Sequence, residues 1–131
     1  MMRQVMKSRV VGATVTLSTA EAAQNGRGLS DGLSIGVVLT GATLYLDREV
    51  LKRADLWPNE RVEVQNIDNG AQFSAVVGEA KPGQVVVVGG TAHLARSGHR
   101  LDIVSYSYLA ETELSQYRMR VVVLGPLNRL E

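Results

Sequence analysis

Apolar residues in this chain either alternate with polar ones or gather in short β-branched runs, and both patterns belong to strands rather than helices. Residues 10–17 (VVGATVTL) read as the first strand. Residues 18–36 follow, where GRGLSDGLSIG carries too many Gly, Ser and Asp residues to continue a regular element, so an irregular loop is expected. The strand pattern resumes over residues 37–46. Asp47 then stands at an N-cap position before REVLKRADL, whose Val50, Leu51 and Ala54 recur at helical spacing; this predicts a helix ending near Trp57-Pro58. Residues 61–68 and 71–77 alternate on either side of Asn69-Gly70, a strong hairpin signal. Pro82-Gly83 marks a further turn, and residues 85–88 (VVVV) are apolar on both faces, as a buried strand requires. Residues 101–107 and 120–124 give two more strands, with a short helix from AETELSQY between them. The expectation is a mainly β fold with two short helices.

A chain of 131 residues is the size of one domain, so residues 1–131 are expected to form a single unit. Its 14 Lys and Arg against 13 Asp and Glu leave a net charge of +1, with no basic run, which argues against a nucleic-acid partner. The absence of cysteine removes thiolate nucleophiles, disulfides and Cys-ligated metals. With only His93 and His99 as imidazoles, no metal site is expected; His93 reads as structural and His99, in SGHR, as an exposed turn residue. The longest weakly polar stretch, residues 33–46, is broken by Ser, Thr and Gly and falls short of the roughly 20 apolar residues of a membrane span. No secretory signal is evident at MMRQVMKSRVV, so a soluble, cytoplasmic protein is expected, with no membrane partner.

Several strings, in order, point further. Met6-Lys7-Ser8 leads into Ala13-Thr14-Val15-Thr16, and Leu46-Asp47 precedes a helix containing Ala54-Asp55-Leu56. Val64-Gln65-Asn66-Ile67-Asp68-Asn69-Gly70-Ala71 comes next, then GTAHL at residues 90–94, Asp102-Ile103-Val104, and Arg120-Val121-Val122-Val123 before Asn128-Arg129. Together, over nearly the whole chain, these resemble the aspartate 1-decarboxylase family, small pyruvoyl enzymes that make β-alanine. The resemblance implies a double-psi β-barrel and a homotetramer with active sites between subunits.

Carried over position by position, the family's machinery is largely replaced. The Gly-Ser bond at which the family cleaves itself falls on Ala42-Thr43, and the Tyr before it on Thr40. Thr is β-branched and would leave a 2-oxobutanoyl group where Ser leaves pyruvoyl. The family's Lys-x-His reads Arg9-Val10-Val11, and its carboxylate-gripping Arg falls on Gln72, which offers an amide instead of a fixed positive charge. Its Thr and Tyr become Ala75 and Val76, and its Asn becomes Gly89. The same correspondence leaves a polar, mostly uncharged pocket, with Gln72, Arg9 and Thr43 as candidate catalytic residues and Gln65, Ser105, Tyr45, Tyr106 and Tyr108 as candidate substrate contacts. An insertion over about residues 18–36, with Gly26, Gly28, Gly32 and Gly36 around Leu29, Leu33 and Ile35, has the composition of a lid.

Three classes of function stay open. One is a repurposed enzyme, uncleaved and without a pyruvoyl group or other cofactor, acting on a small molecule by cyclisation, addition, isomerisation or decarboxylation through preorganised hydrogen bonds. A second is a self-processing decarboxylase cleaved at Ala42-Thr43, for which a pyruvoyl-type group would be required. The third is a non-catalytic binding or regulatory subunit.

Overall fold

The computed structural model describes residues 1–19 and 41–131. The chain runs through β1 (Met2–Thr14), β2 (Leu17–Thr19), β3 (Thr43–Asp47), α1 (Arg48–Ala54), β4 (Arg61–Asn66), β5 (Gln72–Ala80), β6 (Val85–Val88), β7 (Arg100–Ala110), α2 (Glu111–Leu114) and β8 (Arg120–Val123). All eight described strands join one sheet in the order β2-β6-β3-β5-β4-β7-β1-β8. It is a mainly β fold with two short helices, the double-psi β-barrel architecture expected of the aspartate decarboxylase type.

Alternation decides which side chains fill the interior. On β4, Val62, Val64 and Asn66 point inward while Arg61, Glu63 and Gln65 point outward; β5 sends in Phe73, Ala75 and Val77. Val10, Leu44, Leu46, Val87, Leu101 and Ile103 complete the centre of one continuous core. β6 is buried on both faces, as its four valines require.

The longest ladder joins β1 antiparallel to β7, and it slips twice, between Met6 and Ser8 and between Val11 and Ala13. Each slip is a β-bulge that leaves one residue of β1 unpaired. At the first, Lys7 swings away to donate from Nζ to the Asp55 carbonyl and to Glu60 Oε2, both at 2.6 Å, fastening β1 to the end of α1. At the second, Gly12 takes a φ of +81°, and a Cβ there would lie 3.1 Å from the Leu124 carbonyl oxygen.

Local chemistry sets the element ends. Asp47 caps α1 by accepting from the Glu49 N–H at 2.9 Å, and its second oxygen accepts from Gly83 N–H at 3.1 Å in the Pro82-Gly83 turn. The helix stops at Ala54, before the expected Trp57-Pro58, because Asp55 adopts the left-handed conformation and returns its N–H to Leu51 and Lys52. Between β4 and β5 the turn is longer than a two-residue Asn-Gly hairpin. The side-chain oxygen of fully buried Asn66 accepts from the N–H groups of Asp68 and Asn69, and its amide donates to the Leu94 carbonyl and to His99 Nδ1. His99 Nδ1 also accepts from the Arg96 N–H, so this half-buried imidazole is a fixed acceptor rather than the exposed turn residue expected from SGHR.

Other boundaries shift as well. β1 begins at Met2, well before residue 10, because pairing with β7 organises a segment whose own pattern is weak. Ser18 and Thr19, expected in the loop, extend β2 along β6. The remainder of the expected lid, and residues 37–40 of the expected strand, lie outside the described residues. Short 3-10 turns at Ala92–Leu94 and Pro126–Asn128 had no clear sequence signal.

Asn66→Ala removes four hydrogen bonds and leaves backbone groups unpaired, so it is expected to cost about 2–4 kcal/mol of stability, measured by urea unfolding. A loss under about 1 kcal/mol would refute this role. The turn also titrates. The Arg100 backbone N–H, at 2.6 Å, holds the Asp68 carboxyl below its ordinary value of 3.8. A carboxyl depressed in the folded state adds stability above that value and loses it as pH falls through the lower, folded-state value. Asp68→Asn should therefore flatten the decline of stability below about pH 4; urea midpoints with an unchanged acid slope would contradict it.

Candidate functional site

The outward faces of β5, β4, β7 and β1 form one surface, and the register places its residues in rows. Gln72 lies opposite Gln65, Gln65 opposite Asp102, and Asp102 opposite Val11. The next row is Ser74, Glu63, Val104 and Arg9. Glu63, Gln65, Gln72, Asp102, Val104 and Tyr106 line a cleft of about 240 Å³ on this surface. Gln65 and Gln72 are exposed at its edge, Val104 is half-buried, and Tyr106 is 42% exposed.

Charge in the cleft is paired. Arg9 Nε lies 3.2 Å from Asp102 Oδ2, and its Nη2 bonds the same oxygen at 2.5 Å; the other carboxylate oxygen accepts from the Gly12 N–H at 3.3 Å. The Asp102 side chain is 9% exposed against 45% for Arg9, so the carboxylate is the buried anchor and the guanidinium reaches toward solvent. Glu63 accepts from the Ser74 hydroxyl with both oxygens and sits 3.4 Å from Arg61.

Of the residues expected to form the pocket, Gln72, Gln65 and Tyr106 meet here, and Arg9 stands at the side through Asp102. Tyr108 continues the same face of β7, beside Gln4, and is 64% exposed. Ser105 does not join them. It points into the barrel, where its hydroxyl meets Ser8 Oγ at 2.6 Å, both fully buried. Thr43 lies opposite Val76, four residues along β5 from Gln72 and so about 13 Å away at ~3.3 Å per residue. It is 2% exposed, and its hydroxyl has no hydrogen-bond partner among the described residues. Tyr45 stacks on Gly78, where a Cβ would come within 2.8 Å of its ring.

Sequence reasoning passed over two cleft residues. Asp102 entered only as part of a matching string and Glu63 not at all, although both carry an acid at the outward phase of an alternating strand. Two other surface depressions, beside Trp57 and α1 (about 360 Å³) and beside His93 and Arg96 (about 420 Å³), contain none of the expected site residues.

The residues around Thr43 do not fit a pyruvoyl group. A threonine cannot yield one, since its extra methyl would remain, and the residues opposite it in both neighbouring strands are the buried valines Val76 and Val88. The His, the carboxylate-gripping Arg and the Lys of the family pattern stand as Val11, Gln72 and an Arg9 already paired with Asp102.

Among the described residues no helix is long and apolar enough to cross a membrane. The family model described as Aspartate decarboxylase matches residues 40–131, leaving most of the segment before β3 outside the match. Aspartate 1-decarboxylase of Thermoanaerobacter pseudethanolicus is 33% identical over 89 residues, covering 66% of this chain and 76% of that protein. Aspartate 1-decarboxylase 1 of Frankia casuarinae is 37% identical over 90 residues, 67% of this chain but 58% of that protein. Aspartate 1-decarboxylase of Persephonella marina is 31% identical over 102 residues, covering 72% and 73% of the two chains. With the strand order and the matching strings already in place, this chain belongs to the aspartate decarboxylase family.

Proposed function

We propose that this chain is a small-molecule enzyme built on an uncleaved barrel, working at the outward cleft of β5, β4 and β7 without a pyruvoyl group. One observation carries the reading: where the family pattern places a carboxylate-gripping Arg, the cleft presents Gln72 beside Gln65, and the nearby cation Arg9 is bound to Asp102. The Gln72 amide donates to a substrate carbonyl and accepts from an N–H or O–H. Arg9, paired with Asp102, fixes that carboxylate at the side of the cleft, and Tyr106 walls the ring or chain of the substrate. Cyclisation, addition, isomerisation and decarboxylation all profit from such fixed donors. The protein acts in the cytoplasm as a homotetramer; the assembly is supported by the exposed Met6, Tyr108, Val121 and Val123 on the outer faces of β1, β7 and β8.

A second reading keeps the family's self-processing. It is favoured by the buried Thr43 hydroxyl, without a hydrogen-bond partner among the described residues, next to the Ala42 carbonyl, which accepts from the Val76 N–H at 3.2 Å, together with the names of the relatives.

Intact mass separates the two. A single 14.2 kDa species is expected, whereas fragments of 42 and 89 residues would establish cleavage before Thr43. Light scattering on the same sample should give four chains, and one chain per particle would remove the assembly. Incubation with L-aspartate should yield no β-alanine. Gln72→Ala should lower turnover of the true substrate about 10²-fold, the loss seen when one preorganised donor is removed, with unchanged thermal unfolding because Gln72 is exposed. Full activity in both Gln72→Ala and Arg9→Ala would rule out the cleft as the reacting site.

A further inference from the structure

We propose that Asp102 determines the class of molecule this cleft accepts. By neutralising Arg9 it turns the site away from carboxylates and toward uncharged ligands with adjacent C=O and N–H groups, such as cyclic imides and lactams. This deepens the reading given above and rests on it.

Carboxylates bind arginine best through two parallel N–H groups of the guanidinium fork. On Arg9 one such fork, Nε with Nη2, is already directed at Asp102 Oδ2. The carboxylate cannot easily turn aside, because the Gly12 N–H holds its other oxygen and its side chain is almost entirely buried. A second carboxylate entering the cleft would face Asp102 and also Glu63, so its approach is opposed from two strands. The positive charges nearest these acids, Arg9 and Arg61, are each paired with one of them.

What remains for recognition is neutral. Gln65 and Gln72 are directly opposite one another on β4 and β5, which sets their Cβ atoms roughly 5 Å apart. Each amide carries one acceptor and one two-hydrogen donor. Neither has a side-chain hydrogen bond among the described residues, so the pair offers donor and acceptor side by side. A planar ring with an HN–C=O edge satisfies both at once. Val104 gives such a ring an apolar floor and Tyr106 a partly exposed aromatic wall, in a volume of about 240 Å³ that suits one substituted ring.

Glutarimide and glutarate share a five-carbon skeleton and differ in presenting an imide edge or two carboxylates, so they make a matched pair of probes. With ¹⁵N-labelled protein, glutarimide should shift the side-chain amide signals of Gln65 and Gln72 saturably, and Gln72→Leu should abolish the shift. Glutarate should leave these signals in place. In Asp102→Asn the freed guanidinium should bring glutarate affinity up at least tenfold, and the Asp102→Asn/Arg9→Gln double variant should lose that gain, assigning it to Arg9. Wild-type protein binding glutarate as tightly as glutarimide would overturn the proposal without recourse to any variant, as would a folded Asp102→Asn protein that gains nothing. If Asp102→Asn captures glutarate at the cleft while glutarimide binds nowhere, the imide class falls and the cleft stands. If the probes instead perturb signals around Thr43 and Val88, the cleft itself is the wrong site.

Discussion

Two residues of β1 that the ladder with β7 skips, Lys7 and Gly12, decide which way that strand's side chains point. Side chains alternate with a period of two, so a single unpaired residue inverts everything beyond it. Met6 faces outward beside Tyr106; without the bulge at Lys7, Ser8 would follow it outward and Arg9 would turn into the barrel. With the bulge, Ser8 goes in to meet Ser105 and Arg9 emerges next to Asp102. The skip at Gly12 restores an inward Ala13 and spends its free N–H on the Asp102 carboxylate. Barrel packing and cleft electrostatics are thus set by the same two irregularities.

Those irregularities also tie the cleft to its surroundings. Lys7, expelled from the ladder, grips the end of α1 through Asp55 and Glu60. On the other flank, Asn66 follows Gln65 in the chain, and its side-chain oxygen accepts from the Asp68 and Asn69 N–H groups within the turn that leads to Gln72. The amide pair therefore stands on a turn fixed from within the core, while the ion pair stands on a strand fixed from its far side.

What was legible in the sequence was local. The cap at Asp47, the alternation of β4 and β5, and the all-buried valines of β6 depend on neighbours a few residues away, and they appear as read. The first half of β1 was not legible, because MRQVMK has weak periodicity of its own and is organised by residues of β7 about a hundred positions later. Ser105 was grouped with Gln72 by correspondence to the family pattern; the alternation of Asp102, Val104 and Tyr106 along β7 already placed it on the opposite face. Asp102 read as one acid in an apolar run, and only the pairing of β1 with β7 gives it Arg9 as a partner. The unpaired hydroxyl of Thr43 depends on what lies around it in three dimensions, which no spacing encodes.

The position of β1 has a consequence in time. Its neighbours in the sheet are β7 and β8, so among the described strands the earliest in the chain is the one whose partners are made last. While the ribosome extends β3 through β6, β1 must wait with its backbone unpaired and Val10 and Val5 open to water. Non-local pairing of this kind slows folding and prolongs exposure of unmatched strand edges. Arg3, Lys7 and Arg9 put charge on that waiting segment, a feature that discourages strands of neighbouring chains from pairing with it before its own partners arrive.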